Sequence, residues 1–256
     1  MHQTPKNSIE FRLWGRYALF TDPLTKIGGE KCSYHIPTYE ALKGVCKSIY
    51  WKPTIIWIID SVRVMRRIRT QTKGTKPLKY YNGGNDLSIY TFLTGVANSE
   101  AGSVEKGVEY QILAHFEQNI HQPLLKSDWI EGKHYSIACR MLERGGRQDI
   151  FLGTRDCQGY VEPCTFGDGT GAYDEDGEIS YGLMFHGFDY PDETGNHELV
   201  ARFWRPVMRK GIINFDRPEK CPKELQKNVR PMTAKVFGRS NIVKSVKLEA
   251  AELGVE

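Results

Sequence analysis

Several familiar signatures are missing from this chain of 256 residues. Its six cysteines are dispersed, the nearest pair being Cys157 and Cys164, and no C-x-x-C occurs, which argues against a zinc knuckle and favours reduced thiols. The longest apolar run, residues 54–59, is far too short to span a bilayer. Residues 1–10 contain no apolar signal-peptide core, so we expect a cytoplasmic protein without a membrane partner. No glycine pattern matches a P-loop or a dinucleotide fingerprint.

Charge of one sign is missing from two long segments. Residues 156–201, the acidic segment, contain 11 of the 31 acidic residues and no Lys or Arg. Residues 61–80 contain no acid and seven basic residues, the basic stripe: Arg63, Arg66, Arg67, Arg69, Lys73, Lys76 and Lys79. Such a stripe is the expected footprint for a phosphate backbone, although a solvated face with a flexible loop would look the same. The acidic segment would repel a nucleic acid, so we expect it to face away from that ligand or towards a partner protein.

The hydrophobic periodicity predicts an α+β protein. Alternation predicts strands and a hairpin, and helical spacing predicts two helices. The predicted elements are a strand at 8–20, a helix from Pro37 to near Trp51, a buried strand at 54–59, a hairpin of 87–93 with 108–116, a helix ended by Gly145 and Gly146, and a strand at 149–161. With one surplus strand, this order is the ferredoxin-like pattern with an antiparallel sheet that many RNA-binding modules use.

The chain changes character after Pro163. Alternating residues from Ile179 to Phe185 and a strand at 199–204 predict a small antiparallel sheet. Residues 219–256 are basic and poorly patterned, with a short closing helix expected at 245–253. We therefore predict a ferredoxin-like domain at 1–163, a small antiparallel β-sheet domain at 164–218 and a basic tail at 219–256.

Lys133 and His134 are the first candidates for chemistry. Asp128 followed by Glu131 resembles a capping box, so both candidates would fall in the first turns of the second helix. Free N–H groups and the helix dipole there favour a bound phosphate. A neutral His can transfer a proton near pH 7, and a Lys can hold developing negative charge. Alternatively, both are solvated polar residues at a helix start.

Tyr50 is a further candidate because it ends the first helix and can lie beside the second. A phenol can orient or deprotonate a hydroxyl, but its usual pKa of about 10 makes it a weak base. The alternative is a core residue, which the neighbouring Trp51 favours. Asp174, Glu175 and Asp176 can in principle bind Mg²⁺, yet acids between glycines are typical of solvated turns. We therefore predict no metal and no cofactor.

Six stretches together resemble one protein family. They are residues 17–30 (YALFTDPLTKIGGE), 37–44 (PTYEALKG), 48–53 (SIYWKP), 131–136 (EGKHYS), 149–153 (DIFLG) and 186–195 (HGFDYPDETG). The resemblance, from about residue 9 to about residue 220, is to the type I-C (Dvulg) branch of the CRISPR-associated Cas-five proteins in the RAMP superfamily. It implies a ferredoxin-like (RAMP/RRM-like) domain followed by a small antiparallel sheet.

The resemblance also implies a function. Members of this branch cleave the repeat hairpin of precursor CRISPR RNA without a metal, and the catalytic residues would be Tyr50, Lys133 and His134. The ribose 2′-hydroxyl attacks the adjacent phosphate, leaving a 2′,3′-cyclic phosphate and a 5′-hydroxyl. The protein would then stay on the 5′ handle of the mature CRISPR RNA with Cas-seven backbone and Cas-eight large subunits, and the basic stripe would grip the RNA stem. A non-catalytic RNA-capping subunit and a metal-dependent DNA nuclease that uses Asp174 or Asp176 are the alternatives.

Overall fold

The computed structural model of the protein describes residues 7–23, 25, 30–75, 88–96, 107–237 and 243–255. Its strands are β1 (Ser8–Gly15), β2 (Lys31–Cys32), β3 (Ile55–Val64), β4 (Arg67–Thr75), β5 (Ser88–Val96), β6 (Val108–Gln118), β7 (Ile150–Phe151), β8 (Gln158–Pro163), β9 (Glu178–Ser180), β10 (Met184–Asp189), β11 (Glu198–Trp204), β12 (Val207–Arg209), β13 (Ile212–Asn214) and β14 (Gln226–Pro231). Its α-helices are α1 (Tyr39–Ile49), α2 (Glu131–Glu143), α3 (Pro191–Thr194) and α4 (Val246–Leu253). In the described part of the chain, no helix is long and apolar enough to cross a membrane.

The large sheet confirms the predicted fold class. Four of its strands lie in the order β8-β1-β6-β3, every neighbouring pair is antiparallel, α1 connects β1 to β3, and α2 connects β6 to β8. This is the ferredoxin-like arrangement. On β1, Ile9, Phe11 and Leu13 are buried and alternate with partly exposed residues, so one strand face meets the core. Both helices pack on the sheet and against each other.

The predicted hairpin of 87–93 with 108–116 is wrong. Strand β5 pairs antiparallel with β4 and parallel with β2, in a three-stranded sheet separate from the one that contains β6. The reason is that residues 61–80, which carry the basic stripe, contain a complete strand, β4 (Arg67–Thr75), that the sequence did not predict. Because β4 pairs with β5 over nine residues, it takes the edge that the hairpin would have needed.

The C-terminal part of the chain returns to the N-terminal sheet. Strands β13, β12 and β9 extend the large sheet from β3, and β10, β11 and β14 form another three-stranded sheet. The predicted small antiparallel sheet is confirmed by the pairing of β10 with β11. The single strand predicted from Ile179 to Phe185 is wrong, because its first part is β9, which pairs with β12 in the large sheet. The closing helix is confirmed by α4, which is capped by the Ser245 hydroxyl and packs against α2. The divisions at residues 163 and 218 stay predictions.

Candidate active site

Tyr50 is placed by the end of α1. Its backbone N–H donates to the Cys46 carbonyl as the helix ends, and its own backbone is extended. The helix cannot continue far, because Pro53 disfavours helical geometry in the residue before it. The Trp57 indole N–H donates to the Tyr50 carbonyl at 2.7 Å. These contacts hold a fully buried Tyr50 side chain at the helix terminus.

His134 lies in the first turn of α2, but the predicted capping box is wrong. The residue that precedes the helix is Ile130, and no side chain in the described part of the chain caps the first turn. Asp128 instead ends a 3₁₀ helix (Pro123–Asp128), and its Oδ1 accepts a hydrogen bond of 2.6 Å from the Val246 N–H at the start of α4. Asp128, which the sequence predicted to cap α2, therefore caps α4, more than one hundred residues further along the chain.

Tyr50 and His134 meet directly, as the sequence predicted for neighbouring helix ends. The Tyr50 hydroxyl lies 2.8 Å from His134 Nδ1, and His134 Nε2 lies 3.1 Å from the Asp128 carbonyl oxygen. A peptide carbonyl only accepts hydrogen bonds, so Nε2 carries the proton and Nδ1 is an acceptor. The hydrogen bond therefore runs from the Tyr50 hydroxyl to the imidazole. Its tautomer is fixed by the backbone at Asp128.

Burial keeps both members of this pair neutral near pH 7. Burial lowers the pKa of His134 to about 4, with Asp128 opposing the change and the positive charge of Lys52 adding to it. Burial also raises the pKa of Tyr50, although the nearby cation Arg147 acts the other way. The pair is thus a neutral phenol and a neutral imidazole in a buried site, and a neutral imidazole can accept a proton.

Lys133 is half-buried in the first turn of α2. Within the described residues, its ammonium group makes no hydrogen bond or ion pair, and in particular none to Tyr50 or His134. The structure therefore brings two of the three predicted catalytic side chains into contact. Lys133 retains an uncommitted positive charge next to the uncapped start of α2, where the helix dipole also favours an anion.

Arg63, predicted to contact RNA, is buried inside the protein. Only 5% of it is exposed, and its guanidinium donates to Gln111 and to the carbonyls of Asp168 and Gly169. It also forms a 2.7 Å ion pair with Asp174. A guanidinium with all these protein partners is a structural cross-link. The sequence around Arg63 is basic and did not indicate that this side chain would be buried.

The acidic segment lies partly against the basic stripe. That it faces away from a nucleic acid or towards a partner protein stays a prediction. Besides the bond from Arg63 to Asp174, Arg67 forms a two-pronged ion pair with Asp176. Arg67 lowers the pKa of Asp176 by hydrogen bonding, and Arg63 helps lower that of Asp174 although burial opposes it. These arginines occupy the carboxylates that a metal reading would need. No three His, Cys, Asp or Glu side chains of the described chain gather in a group that could hold a metal ion.

The other members of the stripe have different surroundings. Arg66 pairs with Glu109 at 2.8 Å, whereas Arg69 is exposed on β4. The Lys73 ammonium lies 3.6 Å from the centroid of the Tyr17 ring. Lys76 and Lys79 lie outside the described residues. Arg69 and Lys73 are therefore the stripe residues whose positive charge is not balanced by an acidic partner among those described.

A cleft of about 750 Å³ is lined by the residues that follow Tyr50 in the chain, although neither Tyr50 nor His134 lines it. Its lining includes Trp51, Lys52, Arg144, Arg147, Phe237 and Glu249. Sequence reasoning missed Lys52 and Arg147 as site residues. Lys52 belongs to the 48–53 stretch that carries the family resemblance, so its motif was a usable signal. Arg147 follows the glycines that end α2 and had no local signal.

The chain is similar in sequence to known proteins. Residues 8–216 match the Cas5d family model, which is described as CRISPR-associated protein (Cas_Cas5). The chain is 33% identical to the CRISPR pre-crRNA endoribonuclease Cas5d of Mannheimia succiniciproducens, over 81% of this chain and 94% of the relative. It is 28% identical to the protein of the same name from Thermus thermophilus, over 77% and 80% of the two chains.

Two solved structures share the fold. A crystal structure of a CRISPR-associated protein superposes with a TM-score of 0.68 at 31% identity, covering 86% of this chain and 97% of the other. A functionally uncharacterized protein of Streptococcus mutans superposes with a TM-score of 0.66 at 32% identity, covering 84% and 94%. The family match spans both helices of the site and the large sheet that carries them. This chain belongs to the Cas5d family of CRISPR-associated proteins.

Proposed function

We propose that this protein is an endoribonuclease that cleaves the repeat hairpin of precursor CRISPR RNA with Tyr50, Lys133 and His134 and without a metal ion. Two relatives named as pre-crRNA endoribonucleases support the activity and the substrate. The observation that carries the assignment of residues is the 2.8 Å hydrogen bond between Tyr50 and His134. It joins a hydroxyl to an unprotonated imidazole nitrogen at the uncapped start of a helix.

The proposed reaction is attack by a ribose 2′-hydroxyl on the adjacent phosphate. The nucleophile is tethered beside its target, so positioning and proton transfer are the main tasks left to the protein. The 2′-hydroxyl gives its proton to the Tyr50–His134 pair, in which neutral His134 Nδ1 is the acceptor. The Lys133 ammonium stabilises the negative charge on the phosphorane oxygens. The bond from phosphorus to the 5′ oxygen then breaks, and that oxygen takes up a proton from water, to which the Tyr50–His134 pair releases the proton that it accepted. The products are a 2′,3′-cyclic phosphate and a 5′-hydroxyl.

The decisive experiment incubates labelled repeat-hairpin RNA with the protein in EDTA. We expect wild-type protein to cut, and the His134→Ala variant to bind the hairpin nearly as well while losing cleavage. His197→Ala is a matched control, because His197 is exposed and lies outside the site; it should cut normally. Replacing the ribose at the cut position by 2′-deoxyribose should also block cleavage. Unimpaired cutting by His134→Ala would refute the assignment.

The second candidate is a non-catalytic subunit that holds the 5′ handle of the mature CRISPR RNA, together with Cas-seven and Cas-eight subunits. It is favoured by one observation: Tyr50 and His134 have no exposed surface, so the pair is closed to RNA in this conformation. Binding without cleavage by the wild-type protein would support this candidate. The same partners fit a catalytic subunit that keeps its product, so both roles can belong to one protein. A metal-dependent DNA nuclease would instead need Asp174 or Asp176, which arginines already hold.

A further inference from the structure

The C-terminal helix lies next to residues that surround the candidate active site. Helix α4 packs against α2, with Val246 and Ala250 fully buried. Its first N–H group is held by the Asp128 side chain, whose own carbonyl accepts from His134. The complete burial of Tyr50 and His134 therefore coincides with an element from the far end of the chain seated next to them.

One carboxylate of this helix binds two cations beside the catalytic pair. Glu249 is only 8% exposed, and its Oε2 lies 2.8 Å from Lys52 Nζ. Its Oε1 pairs with the Arg147 guanidinium. Lys52 is 4% exposed and also donates to the carbonyl of Lys244, just before α4. Taking the Lys52 ammonium out of water is costly unless an anion stays beside it, so the buried Lys52 favours a negatively charged neighbour at this position. Arg147 reaches the same carboxylate from the exposed side.

Lys52 and Arg147 both lie close to the Tyr50–His134 pair. Lys52 follows Tyr50 by two residues, and its charge contributes to the lowered pKa of His134. The Arg147 guanidinium carbon lies 5.2 Å from the centroid of the Tyr50 ring. Both cations line the cleft of about 750 Å³, where Trp51 and Phe237 present an edge-to-face aromatic pair. Cations interleaved with aromatic rings are what single-stranded nucleic acid requires: ion pairs for phosphates and rings on which bases stack.

We propose that Lys52 and Arg147 form a binding site for an RNA backbone phosphate next to the scissile one, and that Glu249 fills it until RNA displaces α4. The guanidinium fork binds carboxylate and phosphate oxygens in the same way, so Glu249 is a fitting substitute for a phosphate. This inference rests on the proposed function, since it assumes that RNA enters at the Tyr50–His134 pair. It adds two phosphate-binding residues and an internal competitor.

Binding of repeat-hairpin RNA, measured by filter retention in EDTA on the His134→Ala background, tests the proposal without depending on cleavage. Removing the competing carboxylate with Glu249→Gln should tighten RNA binding about tenfold, the effect of one charge-assisted contact. Glu252→Gln is the matched control: it makes the same change of charge one turn along α4, at an exposed residue that lines the same cleft but pairs with Lys244 and not with Lys52 or Arg147. It should leave the affinity within about twofold. Adding Lys52→Gln to Glu249→Gln should remove the gain.

Three results would overturn the proposal. Equal effects of Glu249→Gln and Glu252→Gln would mean that only overall charge matters. No change on Glu249→Gln, or a double variant that binds as tightly as the single one, would make the cluster a purely structural cross-link. Should thermal unfolding show that Glu249→Gln does not fold, Lys52→Gln decides: it should weaken binding about tenfold, and its control Lys47→Gln, a lysine paired with Glu193 outside the cleft, should not. Failure of wild-type cleavage would refute only the proposed function.

Discussion

Acid should lower the free energy of unfolding through protonation of His134. The pKa of the folded-state imidazole is lowered to about 4 by burial, whereas an unfolded His titrates near 6.5. Between these pH values, His134 is protonated in the unfolded chain and neutral in the folded protein. Stability is therefore complete above pH 6.5 and falls as the pH drops towards 4.

The size of the loss follows from the two pKa values. At pH 5.0 the linkage amounts to about 2 kcal/mol, and at pH 7.5 it is close to zero. We expect the His134→Gln variant to lack this contribution. The stability difference between wild type and variant should thus change by about 2 kcal/mol, in favour of the variant, as the pH falls from 7.5 to 5.0.

Urea unfolding of both proteins at several pH values measures this difference. Buried His186, with its pKa lowered to about 3 by burial and by Arg202, titrates in both proteins and cancels. Parallel stability curves from pH 7.5 to 5.0 would show that His134 titrates normally in the folded protein. The neutral, fixed tautomer that the proposed proton transfer requires would then be wrong.

Two further predictions concern Lys133, which the sequence predicted to be catalytic, and the stripe residues Arg63 and Arg69, which it predicted to bind RNA. Lys133→Ala should lower the maximal rate of hairpin cleavage by about 10²-fold or more with little change in RNA affinity, because its ammonium acts on charge that develops in the transition state; single-turnover kinetics measure this, and an equal loss of affinity and rate would contradict it. Arg63→Ala should cost about 3 kcal/mol of unfolding free energy by leaving buried partners unpaired. Exposed Arg69→Ala should change stability by less than about 0.5 kcal/mol and reduce the salt dependence of RNA binding by about one charge; the reverse pattern in urea unfolding and salt titrations would refute this reading of the stripe.

Local patterns predicted the elements that local forces determine. The alternation on β1, the end of α1 near Trp51 and the Ser245-capped α4 all arise from neighbouring residues, and the order of elements then gave the ferredoxin-like sheet. The meeting of Tyr50 with His134 followed from that order, because the fold places the two helix ends side by side.

The failures involve partners that are far apart in sequence. Asp128 looked like the cap of the helix beside it, yet it binds the first N–H of α4, 118 positions away. Arg63 looked like one more surface cation, yet its partner Asp174 is 111 positions away. A single sequence shows the charge of each side chain but not whether folding will supply its counter-ion. Segment charge is therefore a poor guide to surface potential here.

Asp128 gives the protein a built-in reporter. Its backbone carbonyl orients the His134 ring, and its carboxylate holds the first N–H of α4. A displacement of α4 should therefore change the strength of the hydrogen bond at His134 Nε2 and the balance between the two tautomers of that ring. The ¹⁵N chemical shifts of one histidine thus record the position of a helix that the ring does not itself hydrogen-bond.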